Sequence, residues 1–280
     1  MNLLLRESLS LPGDPGKPNE DSFAHGDHAA LVMDGATPLG EPLMPGASDA
    51  AWIAQFAARR LMAHLKDGDA PRDAIAHALA DAEKSFSALR RRPIREKWEI
   101  PCASMILAAQ SEAGLECLWF GDCTALLLQG EACLVIGDAF EKRGEEAESA
   151  SRIAREKNLK AAPHLNRPEI LSHLRAARGR VNSGANWLFS PNPKAAAHAA
   201  HKSVKPKPGD LLLLASDGFL ALATDYGAYD AKGLVMAARD KGLAVLGNEL
   251  RAIEDGDALG EKFARFKKSD DATALLLELR

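Results

Sequence analysis

Short apolar runs separated by turn-forming segments dominate much of the chain. Runs of this length, bounded by Gly, Pro, Asp or Glu, are typical of β-strands, and four of them in close succession predict an antiparallel meander. The predicted strands are one short strand near the N-terminus and the runs at 28–33, 102–110, 115–120, 124–128, 132–136, 187–189, 211–215 and 272–279.

A different spacing marks the helices. Apolar residues recur at near-helical intervals from about Ser48 to His64, with Ser48 as the N-cap. A second helix follows Asp69, with Pro71 in its first turn, and extends to about Leu89. Further helical segments are predicted within 219–265. Strand blocks therefore alternate with groups of helices, which favours an α+β fold with antiparallel sheets covered by helices.

Residues 141–178 are polar with helical character. We expect a single domain over 1–280, in which the region around 141–180 is an insertion or lid over the site. The chain contains no internal repeat or long low-complexity linker that would divide it.

Composition narrows the class of protein. The chain has 280 residues, of which 46% are hydrophobic, and a formal net charge of −4. We therefore expect no nucleic-acid partner, since phosphate-neutralising proteins carry a basic excess or patch. The pair Lys267-Lys268 is interpreted as a solvated face or helix end. No stretch has the length of a membrane span, and no signal peptide is evident, so a cytoplasmic, soluble protein is expected.

The four cysteines form no Cys-x-x-Cys pair, and two of them lie inside apolar runs. This pattern favours reduced, buried thiols. The histidine pairs His25/His28 and His198/His201 lack a further cysteine or acidic partner in sequence, so surface or capping roles are favoured over zinc binding.

Carboxylates at strand ends are the main chemical signal. Asp34, Asp122 and Asp217 each stand beside a glycine at the end of an apolar run, Asp270-Asp271 precede the last run, and Glu20-Asp21 lie before the second strand. A single Asp-Gly at a strand end is usually a turn. Several converging carboxylates would repel one another, however, and Mg²⁺ or Mn²⁺ removes that repulsion with oxygen ligands. The set therefore predicts a two-metal site.

These residues resemble the motifs of the PP2C-type, metal-dependent serine/threonine protein phosphatases. The order, the approximate intervals and the strand contexts match over residues 17–279. The matching segments are Asn19-Glu20-Asp21-Ser22, Val32-Met33-Asp34-Gly35, Gly121-Asp122-Cys123, Ala215-Ser216-Asp217-Gly218 and Asp270-Asp271-Ala272-Thr273.

The resemblance implies an αββα sandwich of two antiparallel sheets flanked by helix pairs, with two Mn²⁺ or Mg²⁺ ions, and in bacterial members a third, weaker one, at one end of the sheets. It implies that Asp34 bridges the two ions and that Asp34 and Asp217 activate the hydroxide nucleophile between them. The metal ligands it implies are Glu20 with Asp21 beside it, Asp34, the carbonyl of Gly35, Asp122 for a third ion, Asp217, and Asp270 in preference to Asp271.

Two departures from the family pattern bear on catalysis. Ala36 stands where some members have a histidine proposed as general acid, and Gly16 stands where many have a phosphate-binding arginine. Lys17 is the candidate substrate-binding residue, against the alternative of an exposed loop lysine. Arg178 and Arg180 are further possible anion binders.

The expected function is hydrolysis of phosphoserine or phosphothreonine in proteins, or of another phosphate monoester, by a metal-bridging hydroxide without a covalent intermediate. The alternative is a catalytically weak pseudo-phosphatase that binds a phosphoprotein or regulatory partner. Ala36 and the missing arginine favour the alternative, and the complete acidic set favours the enzyme.

Overall fold

The computed structural model describes residues 2–112, 114–141 and 168–280, together with Glu148 and Arg152. Within these residues, ten strands form two five-stranded antiparallel sheets. Sheet A has the order β1-β10-β9-β6-β7 and sheet B the order β2-β3-β4-β5-β8. The strands are β1 (Leu3–Leu11), β2 (Asp21–His25), β3 (Ala29–Gly35), β4 (Ala103–Ser111), β5 (Gly114–Phe120), β6 (Thr124–Gln129), β7 (Ala132–Ile136), β8 (Ala200–Val204), β9 (Leu211–Ala215) and β10 (Ala272–Leu279).

Helices cover the outer faces of both sheets. The described α-helices are α1 (Asp49–Lys66), α2 (Pro71–Leu89), α3 (Pro168–Arg178), α4 (Asp217–Thr224), α5 (Ala231–Lys241) and α6 (Leu243–Gly256). The Ser48 side chain accepts the N–H groups of Ala50 and Ala51 at the start of α1, as its predicted cap role requires. Pro71 occupies the first turn of α2, where a missing N–H costs no hydrogen bond.

Three apolar cores lie between the four layers. One lies between sheet B and the α1–α2 pair, one between sheet A and helices α4 to α6, and one between the sheets. Along β9, Leu212 and Leu214 face the inter-sheet core, while Leu213 and Ala215 face the helices. Because both faces are covered, the strand is a continuous apolar run without polar alternation. The predicted αββα sandwich is confirmed.

Three strand predictions differ from the structure. Strands β2 and β8 were not predicted, because each lies at an edge of sheet B and is a short run that carries polar residues. The predicted strand at 187–189 is only an isolated bridge between Ala103 and Phe189, whose side chain is nonetheless fully buried. The apolar pattern there reflects burial of the side chain, and a side chain can be buried without strand pairing.

The helical prediction for 219–265 extends too far. After α6, the carboxylate of Asp257 accepts the backbone N–H groups of Glu261, Lys262 and Phe263. Arg265 also pairs with Asp257. A loop folded around one carboxylate therefore replaces the last predicted helical turns.

The predicted insertion or lid over 141–180 falls largely outside the described residues. Apart from Glu141, Glu148 and Arg152, its described part is α3 and the turn that follows. The guanidinium of Arg175 donates to the Leu39 carbonyl at 2.6 Å and lies 4.4 Å over the Trp98 ring. Helix α3 thus contacts the loop that follows Asp34. No described helix is long and apolar enough to cross a membrane.

Candidate metal centre

Strand ends from both sheets meet at one end of the sandwich. Asp34 lies near the end of β3, Asp122 follows β5 after Gly121, and Asp217 begins α4 after β9. Asp21 begins β2 and is the register partner of Asp34. Since these strands either end or begin at the same edge, antiparallel pairing brings their carboxylates together.

Three of the carboxylates form a tight group. Asp34, Asp122 and Asp217 each offer an oxygen, and these oxygens lie within 4.8 Å of one another. The hydroxyl of Ser104 donates to Asp122 Oδ1 at 2.6 Å and fixes its orientation. The structure therefore brings together three of the aspartates that the sequence predicted as ligands.

Asp21 lies opposite Asp34 in the β2–β3 pairing and joins the two sheets. The Ser216 hydroxyl, on the sheet A side, donates to Asp21 Oδ2 at 2.8 Å. The same Ser216 oxygen accepts the Thr273 N–H at 2.9 Å. Asp21 is only 5% exposed, so its charge is almost completely removed from water.

The acidic group has the properties of a cation site. Among the described residues, Asp21 Oδ1 and Asp217 Oδ1 are buried and accept no hydrogen bond. Burial raises the pKa of Asp21 to about 8, with further contributions from Asp270 and Asp217. Burial also raises the pKa of Asp34 and of Asp217 well above the usual range, and neighbouring carboxylates raise both further. Hard divalent cations with oxygen ligands fit this donor set.

Asp270 lies at the edge of the group and pairs with a lysine that the sequence did not indicate as part of the site. The Lys267 ammonium forms an ion pair with Asp270 and lies 3.5 Å from the Thr37 hydroxyl. Burial acts to lower the pKa of Lys267, but Asp270, with Asp34 and Asp217, raises it above its usual value.

The sequence interpretation of Lys267 as part of a solvated face is incomplete, because the side chain is 33% exposed but also pairs with Asp270 beside the acidic group. Lys268 beside it is half exposed and pairs with Asp255, as that interpretation expects. Nothing in the local pattern separates the two lysines, because only the fold places one of them against the acidic group.

Asp271 has a different role from Asp270. Its two carboxylate oxygens accept the backbone N–H groups of Gly13, at 2.7 Å, and Glu20, at 2.6 Å. It therefore positions the N-terminal loop. The Glu20 side chain accepts hydrogen bonds from Thr37 at 2.7 Å and from Ser48 at 2.5 Å. These donors hold Glu20 in the wall of the groove beside the acidic group.

Two glycines allow close backbone approach at the centre. A Cβ on Gly35 would lie 2.5 Å from the Ala50 carbonyl oxygen, and one on Gly218 would lie 2.0 Å from the Asp271 carbonyl oxygen. Neither distance is compatible with a side chain, so both positions require glycine. The close contact at Gly218 brings the start of α4 against the segment that carries Asp270.

A groove of about 680 Å³ opens beside the group, with Lys17, Glu20, Thr37, Lys267 and Asp270 among its lining residues. The Lys17 side chain is 72% exposed and pairs with Asp14 at 3.5 Å, so it lies at the rim.

Ala36 and Arg178 line a smaller cavity, separate from the groove. The Ala36 N–H donates to the Cys102 carbonyl at 2.9 Å, and its carbonyl accepts from Arg178 at 3.3 Å. Arg178 is therefore engaged with the loop after Asp34. Arg180, the other arginine predicted as an anion binder, is not among the residues that line the groove.

Cys123 and the histidine pairs occupy non-ligand positions among the described residues. Cys123 is fully buried in the inter-sheet core, and burial together with the nearby aspartates raises its pKa well above the usual range. His198 stacks on Trp187 at 3.6 Å between ring centroids. His25 and His28 are exposed.

No protein-family model and no curated protein sequence matches the chain. Several solved structures do. The serine/threonine phosphatase PstP/Ppp of Mycobacterium tuberculosis is 16% identical with a TM-score of 0.60, and all of both chains is covered. The PPM Ser-Thr phosphatase MsPP of Mycobacterium smegmatis is also 16% identical, with a TM-score of 0.56 over 99% of this chain and 100% of the other.

A third structure bears on the metals. The catalytic domain of the phosphatase PstP, solved in complex with two manganese ions, is 16% identical with a TM-score of 0.55, over 99% of this chain and 98% of that one. Identities this low establish the architecture, and the predicted resemblance is confirmed at that level. The chain has the fold of the PPM/PP2C serine/threonine phosphatases.

Proposed function

We propose that the protein is a metal-dependent phosphatase that removes phosphate from phosphoserine or phosphothreonine in proteins. The observation that carries the proposal is the convergence of strand-end aspartates, on a PP2C-like fold, into one group with two buried carboxylate oxygens that lack hydrogen-bond donors. Such a group is stable at neutral pH only when protons or cations neutralise it.

The proposed ligands are Asp34, Asp217 and Asp270, with the Gly35 carbonyl, Glu20 or Asp21, and Asp122 completing the set. When bound, Mn²⁺ or Mg²⁺ supplies an activated water and neutralises charge on the phosphoryl group. The complex of the related PstP domain with two manganese ions supports a two-ion site here.

Two lysines that line the groove are suited to bind the substrate. Lys267 lies between Asp270 and the Thr37 hydroxyl, where its ammonium provides a point charge for a phosphoryl oxygen. Lys17 at the rim is suited to contact the polypeptide that carries the phosphate, a role that its exposure allows. A cytoplasmic location remains a prediction.

No side chain at position 36 can donate a proton to the leaving group. Ala36 is held by its backbone to Cys102 and Arg178, and its methyl group has no acidic hydrogen. We therefore expect water to protonate the leaving serine or threonine oxygen. Substrates with more acidic leaving groups should then react faster, since they depend less on a general acid.

A second candidate function is a pseudo-phosphatase that binds phosphoproteins without turnover. The ion pair between Lys267 and Asp270 favours it, because a fixed cation already neutralises one of the proposed ligands.

Activity and binding assays distinguish the two functions. With Mn²⁺ or Mg²⁺, the purified protein should hydrolyse p-nitrophenyl phosphate and phosphothreonine peptides, and chelator should abolish the activity. Asp34→Asn and Asp217→Asn should each reduce kcat by about 100-fold or more, since each removes an inner ligand.

Asp27→Asn is the matched control, because it removes an exposed carboxylate away from the centre. It should leave kcat unchanged. Tight Mn²⁺ binding by calorimetry with no turnover on any phosphate ester would establish the pseudo-phosphatase instead. Full activity in both Asp34→Asn and Asp217→Asn would refute the site assignment.

A further inference from the structure

A second group of metal-ligating side chains lies on the helix pair that covers sheet B. His64 is in the last turn of α1, Asp69 is in the connection to α2, and His77 is in α2. One ligand atom from each of the three residues lies within 4.8 Å of the other two. This group is independent of the proposed phosphatase function.

Both imidazole rings direct their Nδ1 atom at the Asp69 carboxylate. His64 Nδ1 lies 3.3 Å from Asp69 Oδ2, and His77 Nδ1 lies 2.7 Å from that oxygen. Ligands of a tetrahedral zinc ion are separated by roughly 3.3 Å, since the bonds are about 2.0 Å long. The His64 separation already matches this value. The His77 nitrogen has to move outward by about 0.6 Å to match it, and the His77 side chain is 57% exposed, which leaves room for that movement.

The outer nitrogen of His64 is held in the manner of a metal ligand. His64 Nε2 lies 2.9 Å from Asp81 Oδ2, and Arg60 Nε donates to the same carboxylate oxygen at 2.7 Å. When Nε2 carries the proton toward Asp81, the Nδ1 lone pair faces Asp69. A carboxylate that orients the far nitrogen of a histidine is the usual support of a histidine bound to zinc.

We propose that His64, Asp69 and His77 form a binding site for a divalent transition metal, with zinc as the ion that best suits two imidazoles and one carboxylate. Imidazole ligands favour Zn²⁺, Ni²⁺ or Cu²⁺ over Mg²⁺. The exposure of His77 leaves room for water as the fourth ligand. A bound ion would fasten the end of α1 to the connection and to α2.

The site is remote from the acidic group. Ser48, which contacts Glu20 in the groove, caps the opposite end of α1. His64 lies about 24 Å along the helix from it, at 1.5 Å per residue. The two sites can therefore be tested separately, and failure of one leaves the other unaffected.

The experiment uses the full chain in an Asp217→Asn background, which weakens cation binding at the acidic group. Zn²⁺ titration by calorimetry, and Co²⁺ titration followed by visible absorption, should each show one site per chain. His77→Ala and His64→Ala should each weaken that site by at least about tenfold. His25→Ala, which removes an exposed histidine from an edge strand, should have no effect.

Circular dichroism confirms that each variant is folded, and the exposed His77 makes His77→Ala the decisive variant. In the otherwise wild-type chain, His77→Ala should leave phosphatase activity with Mn²⁺ unchanged. Zinc binding of equal strength in the background protein and in both histidine variants would overturn the proposal. So would a background protein that binds neither Zn²⁺ nor Co²⁺ at micromolar concentration, in which case the three residues form only a hydrogen-bonded cluster.

Discussion

Replacement of Asp21 by asparagine tests whether buried negative charge governs the stability of the metal-free protein. The substitution keeps the shape of the side chain, and the amide oxygen of the variant still accepts the hydrogen bond from Ser216. The amide NH₂ would lie at the position of Asp21 Oδ1, which is buried and has no donor among the described residues. The variant therefore removes a charge without opening a cavity.

The direction in which the free energy of unfolding changes with pH follows from the pKa of Asp21. In the unfolded chain Asp21 ionises near 3.8, whereas in the folded protein burial raises its pKa to about 8. Below pH 3.8 both states carry the proton, and the group has no effect on stability. Between these values the native state binds more protons than the unfolded state, so stability is lost as the pH rises.

The size of this stability change follows from the same two pKa values. At about 1.36 kcal/mol for each pH unit, the wild-type protein loses on the order of 5 kcal/mol between about pH 4 and about pH 8 through this carboxyl. The Asp21→Asn variant avoids that loss. Its advantage in the free energy of unfolding should be small near pH 4 and should grow by about 1.4 kcal/mol per pH unit up to about pH 8.

Urea denaturation in the presence of chelator, at several pH values, measures the difference. Asp27→Asn controls for the loss of one negative charge at an exposed position. Mn²⁺ added near pH 7 should stabilise the wild-type protein more than Asp21→Asn, because the ions displace the proton of the buried Asp21 carboxyl and pair with its carboxylate, which the amide of the variant does not offer. A difference that does not change with pH, or a variant that is less stable than wild type near pH 8 without metal, would refute the reasoning.

Two further predictions concern the contacts around Asp270. Gly218→Ala places a methyl carbon 2.0 Å from the Asp271 carbonyl oxygen, so it should lower the free energy of unfolding by about 3 kcal/mol and weaken Mn²⁺ binding. Urea denaturation and calorimetry measure these effects, and unchanged values would contradict the close packing. Lys267→Met should tighten Mn²⁺ binding by about tenfold, because it removes a competing cation, and should raise KM for phosphate esters. Lys268→Met is the matched control, and identical behaviour of the two variants would show that Lys267 has no special role.

Much of the fold could be predicted from local pattern alone. Strand β9 is recognisable because both its faces are buried and its sequence is continuously apolar, and α1 and α2 are recognisable from Ser48 and Pro71 at their starts. Edge strand β8 was missed because three of its five residues are exposed. A strand with little apolar content gives no periodic signal, and only its pairing with β5 defines it.

Part of the candidate site could likewise be predicted from local sequence context, and part could not. Asp34, Asp122 and Asp217 were predicted because each follows an apolar run at a glycine, a context visible within a few residues. Asp270 was preferred to Asp271 through family resemblance. The structure supplies a physical difference between them, since Asp271 is engaged with two backbone N–H groups.

The sequence by itself determined the buried strands such as β9, the helices α1 and α2, and which carboxylates stand at strand ends. These properties depend on neighbouring residues and on burial of one face or two. Only the tertiary structure decided that Lys267 pairs with Asp270, that Ser216 joins Asp21 to Thr273, and that His64, Asp69 and His77 converge. Such contacts depend on sheet order, strand register and helix packing. Those features are fixed by long-range hydrogen bonds and core contacts that no local periodicity encodes.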